Sequence, residues 1–276
     1  MSATSTTIDT GGSTITGSLR RTLALGKLEA KLLGRNKTAL FNAVGMAPVL
    51  VLILLPVVGS MNEGADLFGA QLLAMLACFG ILFIAYYNLT TTAVARREEL
   101  MLKRLTSGEV SHGEVLIGMA TPSAIIVLAQ LVLGTVAVGF AFELPALTNP
   151  VLVIVALAAG FAVFALLAYA SSGLTKTVES AQLTTLPVIF VAMLASGVAF
   201  PLEVLPDGVQ RVAELTPLAP VMTLLQLGLS GVDADGQVLT FAETFSAGLL
   251  PLVVLGLWCV IGALASRRWM RWEPRR

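Results

Sequence analysis

Histidine is nearly absent: His112 is the only one in 276 residues. That excludes paired-histidine H-E-x-x-H zinc chemistry. It also leaves no base for a buried serine nucleophile, because His112 falls in a turn between apolar runs. Cysteine is scarce too. Cys78 and Cys259 both lie inside apolar stretches, so a disulfide framework is excluded and both thiols read as small apolar residues. There is no G-x-x-x-x-G-K-[ST] phosphate loop; Gly26-Lys27 has neither the spacing nor the hydroxyl that should follow. The chain is therefore not expected to bind ATP by itself. Charged residues make up 12%, against about 25% in soluble domains, and none falls in the middle of a long apolar run. Ion and proton paths through a bilayer are marked by such residues. Their absence argues against a carboxylate relay or a voltage sensor, and any transport must draw its energy from elsewhere.

What the chain does have is length of apolar sequence. Hydrophobic residues make up 56%, and the mean hydropathy is +0.87. Lipid offers no partner to backbone groups, so a spanning helix needs about 20 mostly apolar residues. Six stretches qualify: Leu40 to Ser60, Gly69 to Ala93, Val115 to Phe142, Val151 to Ser172, Leu183 to Phe200 and Ala247 to Ser266. The expected fold is an all-α integral membrane protein with six transmembrane helices. Sixteen of the 17 Lys and Arg residues fall on one side of this arrangement, and Arg211 alone falls on the other. The positive-inside rule makes the basic side cytosolic. Both termini are then cytosolic, which an even number of spans requires. Residues 1–18, rich in Ser, Thr and Gly, read as a disordered cytosolic tail with no secretory signal, and 19–276 as one membrane domain.

Three segments outside the spans carry pattern. In 19–37, Arg20, Lys27, Lys31 and Arg35 share one helical face with leucines on both flanks, as in an amphipathic helix lying at the inner membrane surface. The cytosolic loop 94–114 reads as an extension of the second span. Glu99 and Lys103 stand there at i, i+4, Thr106-Ser107-Gly108 breaks the helix, and Ser111 with Glu114 forms a capping box opening the third span. The external segment 201–246 is too apolar for an ordinary loop; interrupted by Pro217 and Pro220, it is expected to enter the membrane and return. Polar and aromatic residues cluster on the second span (Phe83, Tyr86, Tyr87, Asn88, Thr90, Thr91) and the fifth (Thr184, Thr185, Phe190, Met193). They serve either helix packing or the wall of a path for an amphiphilic molecule.

Together these features resemble the membrane subunit of a type-2 ABC exporter. The likeness rests on the basic amphipathic helix, on Arg97-Glu98-Glu99 through Leu105-Thr106-Ser107-Gly108-Glu109-Val110-Ser111, and on Gly197-Val198-Ala199-Phe200-Pro201-Leu202-Glu203-Val204-Leu205-Pro206 followed by Leu215-Thr216-Pro217. Gly108 stands where many members have proline. The resemblance implies a separate cytosolic ATPase subunit that holds ATP and Mg, with no cofactor bound by this chain. It implies a second copy of this permease or a related one, contact with membrane lipid, no nucleic acid, and a multi-pass place in the cell's inner (plasma) membrane. It implies ATPase-coupling roles for Glu98, Glu99, Lys103, Arg104 and Glu109. Phe83, Tyr86, Asn88, Phe190 and Met193 become candidates for the substrate path, with a hydrophobic or amphiphilic cargo. The alternative is a non-transporting sensor subunit or a membrane-embedded enzyme.

Overall fold

The computed structural model describes residues 65–106, 111–142, 145–199, 202–233 and 236–273, with scattered positions between 24 and 53. Most of the expected first span, the tail 1–18 and most of 19–37 lie outside the described residues. Everything described is helix or connection; the one β-bridge joins Val232 to Val238.

The centre of the bundle is α1, a continuous helix made of Ala65–Gly80, a π-helical segment Ile81–Asn88, and Leu89–Glu98. Its apolar window is 78% buried, against 22% for α3 (His112–Ala141) and for α9 (Leu249–Trp269). A helix apolar on every face is stable only when surrounded, and α1 has α3, α4 (Pro150–Leu174) and α7 (Ala219–Ser230) around it. Among the described residues, four helices are long and apolar enough to cross a membrane: Leu67–Glu98, His112–Phe140, Pro150–Leu174 and Leu249–Trp269.

Local signals set the helix starts. Ser111 and Glu114 form the expected capping box, with the Glu114 N–H donating to Ser111 Oγ at 3.3 Å and the Ser111 N–H donating to Glu114 Oε2 at 2.8 Å. Asn149 caps α4 through its Oδ1, which accepts from the Val151 and Leu152 N–H groups at 3.1 and 3.2 Å. Pro150 takes the first helical position, where its missing N–H costs nothing.

The fifth expected span needs correction. Helix α5 runs Val178–Leu194, starting earlier and stopping earlier than Leu183 to Phe200. Its 17 residues reach about 26 Å, short of a hydrocarbon core about 30 Å thick. A capping box of Thr177 with Ser180 draws the polar stretch 178–182 into the helix. At the other end Gly197, at φ +76, turns the chain, a conformation glycine adopts without strain.

The segment after α5 folds back. Helices α6 (Asp207–Glu214) and α7 meet at 84°. Trp258, the tenth residue of α9, donates its Nε1–H to the Leu215 carbonyl at 2.8 Å, which fixes the bend beside the middle of α9. Helix α7 then returns to the end of the bundle where α4 begins, and the Asn149 N–H donates to the Gly228 carbonyl there at 2.9 Å. Gly228 has no room for a side chain, since a Cβ would lie 2.6 Å from Val153 Cγ2. The buried Asn149 amide also donates to Thr244 Oγ1 at 2.9 Å, tying in α8 (Phe241–Ala247).

Helix α8 opens with Glu243 accepting from the Thr240 N–H and hydroxyl at 2.8 and 2.7 Å. These bonds, the backbone one first, hold the carboxyl below its ordinary value of 4.5. A depressed acid stabilises above its unfolded pKa and stops doing so as pH falls through the folded value. Amide exchange within α8 is therefore expected to be slow at pH 7 and to lose protection below pH 4.5, after correction for intrinsic rates. Equal protection on both sides of that range removes the cap from the account.

Candidate functional site

One end of the bundle gathers the basic residues: the end of α1, the starts of α3 and α5, and the ends of α4 and α9. Arg97 organises it. The residue is 1% exposed, and its guanidinium reaches across to the end of α4. Nη1 donates to the Ser172 carbonyl at 2.7 Å, and Nη2 donates to Thr175 at 2.6 Å and Lys176 at 3.3 Å. The last carbonyls of a helix have no intrahelical donor, and the helix dipole favours a cation there. Arg97 supplies both donor and cation, so α1 and α4 are latched together at this end.

Further contacts stiffen the same end. Tyr169 Oη donates to the Leu116 carbonyl at 2.6 Å, joining α4 to α3. Gly173 lies against the backbone of Trp269 on α9. The His112 and Trp272 rings meet edge to face with centroids 4.3 Å apart.

Immediately beyond the latch, α1 ends. Glu98 and Glu99 are exposed, and Leu100 takes the left-handed conformation at φ 58. Non-glycine residues rarely adopt it. The chain then restarts as α2 (Met101–Thr106), with the Arg104 N–H bonded to the Leu100 carbonyl at 3.1 Å and Leu102 buried. The second span does project as a helix beyond Ala93, but it breaks at Glu99–Leu100 rather than running on to Thr106. The break falls between Glu99 and Lys103, so the two do not stand one turn apart on a single continuous helix as expected. Glu99 accepts from Arg96 Nη1 at 2.9 Å. Arg104 is exposed on α2. Of Lys103 only the backbone is described, and Glu109 lies outside the described residues.

The path candidates do not share one surface. Phe83 is buried beside Phe79, with ring centroids 6.4 Å apart. Tyr86 is 1% exposed; its hydroxyl pairs with Ser171 Oγ at 3.0 Å and its ring packs edge-on to Phe164 at 6.2 Å. Asn88 is buried, and its carbonyl accepts from Thr91 Oγ1 at 2.9 Å. Phe190 is 59% exposed on α5, and Met193 is half-buried near the end of that helix. The half-exposed side of α1 is instead Tyr87, Thr91 and Ala95, at i, i+4 and i+8. The π-helical segment accounts for part of the difference, because its residue period is longer than 3.6 and carries Tyr86 onto the α4 side.

Sequence reasoning passed over Arg97, taking it as one more charge of the basic loop. The available signal was position: it is the last cation before the acidic pair Glu98-Glu99, one helical turn beyond the apolar run. Among the described residues no group of three or more His, Cys, Asp or Glu residues is placed to hold a metal ion.

Long apolar helices around a buried central one, with a latched and broken helix at the basic end, define a multi-pass helical membrane protein. Residues 20–229 match the ABC-2 type transporter family, and the chain belongs to it. It is a transmembrane permease subunit of an ABC transporter and not itself the ATPase. No curated protein matches the chain.

Proposed function

We propose that this chain is the permease half of an ATP-driven exporter, moving a hydrophobic or amphiphilic compound such as a drug, lipid or lipopeptide out of the cell. It sits in the inner membrane as six spans with both termini cytosolic. Two permease halves pair, and each engages a separate cytosolic ATPase that holds ATP and Mg.

The observation that carries this reading is the construction of the basic end. A helix that runs through the apolar core is latched by Arg97 and then broken at Glu99–Leu100. It hands over to the short helix α2, with Glu98, Glu99 and Arg104 exposed around the break. A lever needs such a stiff arm with a jointed, accessible tip. Glu98, Glu99, Lys103, Arg104 and Glu109 are its proposed contacts with the ATPase. Helix α5 supports pairing of two halves: among the described elements it packs chiefly on α1, while Leu183, Leu186, Phe190, Val191 and Leu194 are exposed. Phe190 and Met193 are then placed to line a path between halves, with Tyr87 and Thr91 of α1 as further wall residues. Phe83 and Tyr86 support that wall from behind in this conformation. The folded-back α6–α7 pair is the re-entrant external element.

The test is affinity purification of the tagged chain from its native membrane in mild detergent, followed by mass spectrometry. A stoichiometric soluble chain carrying a phosphate-loop motif is expected. Its absence even after cross-linking removes the energy source and, with it, the exporter reading.

A further inference from the structure

Helix α9 carries one apolar stripe on the side turned away from the bundle. Leu255, Gly262 and Ser266 are buried, while Val253, Leu257, Val260, Ile261 and Leu264 are exposed. Their spacing of three and four residues keeps the exposed five on one helical face. In a bilayer that face meets acyl chains. The stripe ends in charge. Arg267 and Arg268 stand three and four residues beyond Leu264, on the same face and about 5 Å further along the axis. Both are exposed, as is Arg271 just past the helix end. Trp269, beside them, is 48% exposed, and an indole suits the boundary between lipid and water.

Other cations of the basic end are engaged within the chain. Arg97 holds the α4 carbonyls, and Arg96 pairs with Glu99. Arg267, Arg268 and Arg271 differ: among the described residues no carboxylate or carbonyl receives their guanidiniums. The positive-inside rule is satisfied by charge on any face of a helix end. Here three arginines stand at the foot of the acyl-facing stripe. The backbone that carries them is fixed, with Trp269 against Gly173 of α4 and the Met270 N–H bonded to the Ser266 carbonyl at 3.0 Å. A molecule that fits has apolar chains for the stripe and, one turn lower, an anionic head. Guanidinium groups bind phosphate oxygens through paired N–H donors. We propose that α9 holds an anionic phospholipid, with its acyl chains along 253–264 and its phosphate on Arg267, Arg268 and Arg271. The site needs only the membrane-spanning character of the chain and does not depend on the permease reading. It places a lipid headgroup at the same helix end that packs on Gly173.

Native mass spectrometry of the full chain in mild detergent tests it, with phosphatidylglycerol and phosphatidylcholine of identical acyl chains as probes. Preferential retention of phosphatidylglycerol is expected. Arg267→Gln, Arg268→Gln and Arg271→Gln are each expected to weaken that preference by about fivefold, the effect of one cation at a headgroup surface. The triple variant is expected to abolish it. Lys27→Gln with Lys31→Gln removes exposed positive charge from the N-terminal segment and is expected to leave the preference in place. All five positions are exposed, so thermal midpoints in phosphatidylcholine are expected to stay native-like, which separates loss of lipid from loss of fold. Should the triple variant fail to fold, the three single variants carry the comparison. Equal retention of the two lipids by the native chain overturns the proposal. So does a preference that survives in the arginine variants, or one that falls as far in the lysine pair, which is the behaviour of diffuse basic charge. Displacement of the lipid by free glycerol 3-phosphate marks a soluble-phosphate site and overturns the lipid. Loss of a co-purifying soluble chain from the triple variant, with lipid preference unchanged, gives the surface to a protein partner instead.

Discussion

Arg97→Met is expected to separate the motion of α1 from that of α4 and to lower the stability of the chain by about 3 kcal/mol. The guanidinium makes charge-assisted bonds to the Ser172, Thr175 and Lys176 carbonyls, and Arg97 is 1% exposed. Methionine fills much of the space but leaves the end of α4 without donors and without the cation its dipole favours. Arg97→Lys keeps the charge. A lysine ammonium on a flexible stem cannot reproduce a rigid fork spanning carbonyls three and four residues apart, so an intermediate loss is expected. The first measurement is the thermal midpoint of the purified chain, with a fall on the order of 10 °C for Arg97→Met. The second separates a latch from a packing residue. On the proposed reading, in a complex with an ATPase subunit, transport should fall by about tenfold or more while ATP hydrolysis changes far less. A native-like midpoint for Arg97→Met sinks the latch. Equal loss of hydrolysis and transport makes Arg97 structural only.

Much of this architecture is legible in the residues, because the bilayer imposes a coarse rule. Uninterrupted apolar runs longer than about 20 residues must be helices, and the runs ending near Ala93, Phe142, Ser172 and Ser266 all are. The Ser111–Glu114 capping box is equally legible, since the hydroxyl and the carboxylate stand three apart before an apolar run. What escapes is whatever depends on which neighbour a face meets. Tyr86 and Tyr87 are adjacent and chemically alike, and only the π register decides that Tyr86 turns to Phe164 and Ser171. Nothing in the residues announces that register. Arg97 looks like Arg96 on paper; the first reaches the end of α4, 75 residues away in sequence, and the second pairs with Glu99 a turn along. The break at Leu100 is hidden for the same kind of reason. Leucine is a strong helix former, so nothing in its local preference announces the left-handed conformation of Leu100 just before the buried Leu102.

Gly173→Ala is expected to be the most damaging single-atom change at this end. A Cβ at Gly173 would lie 1.7 Å from the Trp269 carbonyl oxygen and 2.6 Å from its carbon. Both are backbone atoms, so no rotamer change makes room. The end of α9 has to back away from α4 by more than an ångström, and overpacking of this kind costs about 3 kcal/mol or more. The displacement does not stop there. Trp272 follows Trp269 and leaves the His112 ring, now 4.3 Å away. Ser172, whose carbonyl receives Arg97, adjoins Gly173 itself. A defect introduced at the α4–α9 contact therefore reaches the latch on the opposite side of α4. The controls are Gly113→Ala and Gly256→Ala, where an added Cβ meets nothing within 4 Å. Those two are expected to be neutral or to stabilise by up to about 1 kcal/mol through helix propensity. Thermal midpoints and monodispersity of the three variants, side by side, decide the matter. If Gly173→Ala melts with its controls, α4 and α9 are not in backbone contact, and the basic end is not the single rigid block on which the proposed lever depends.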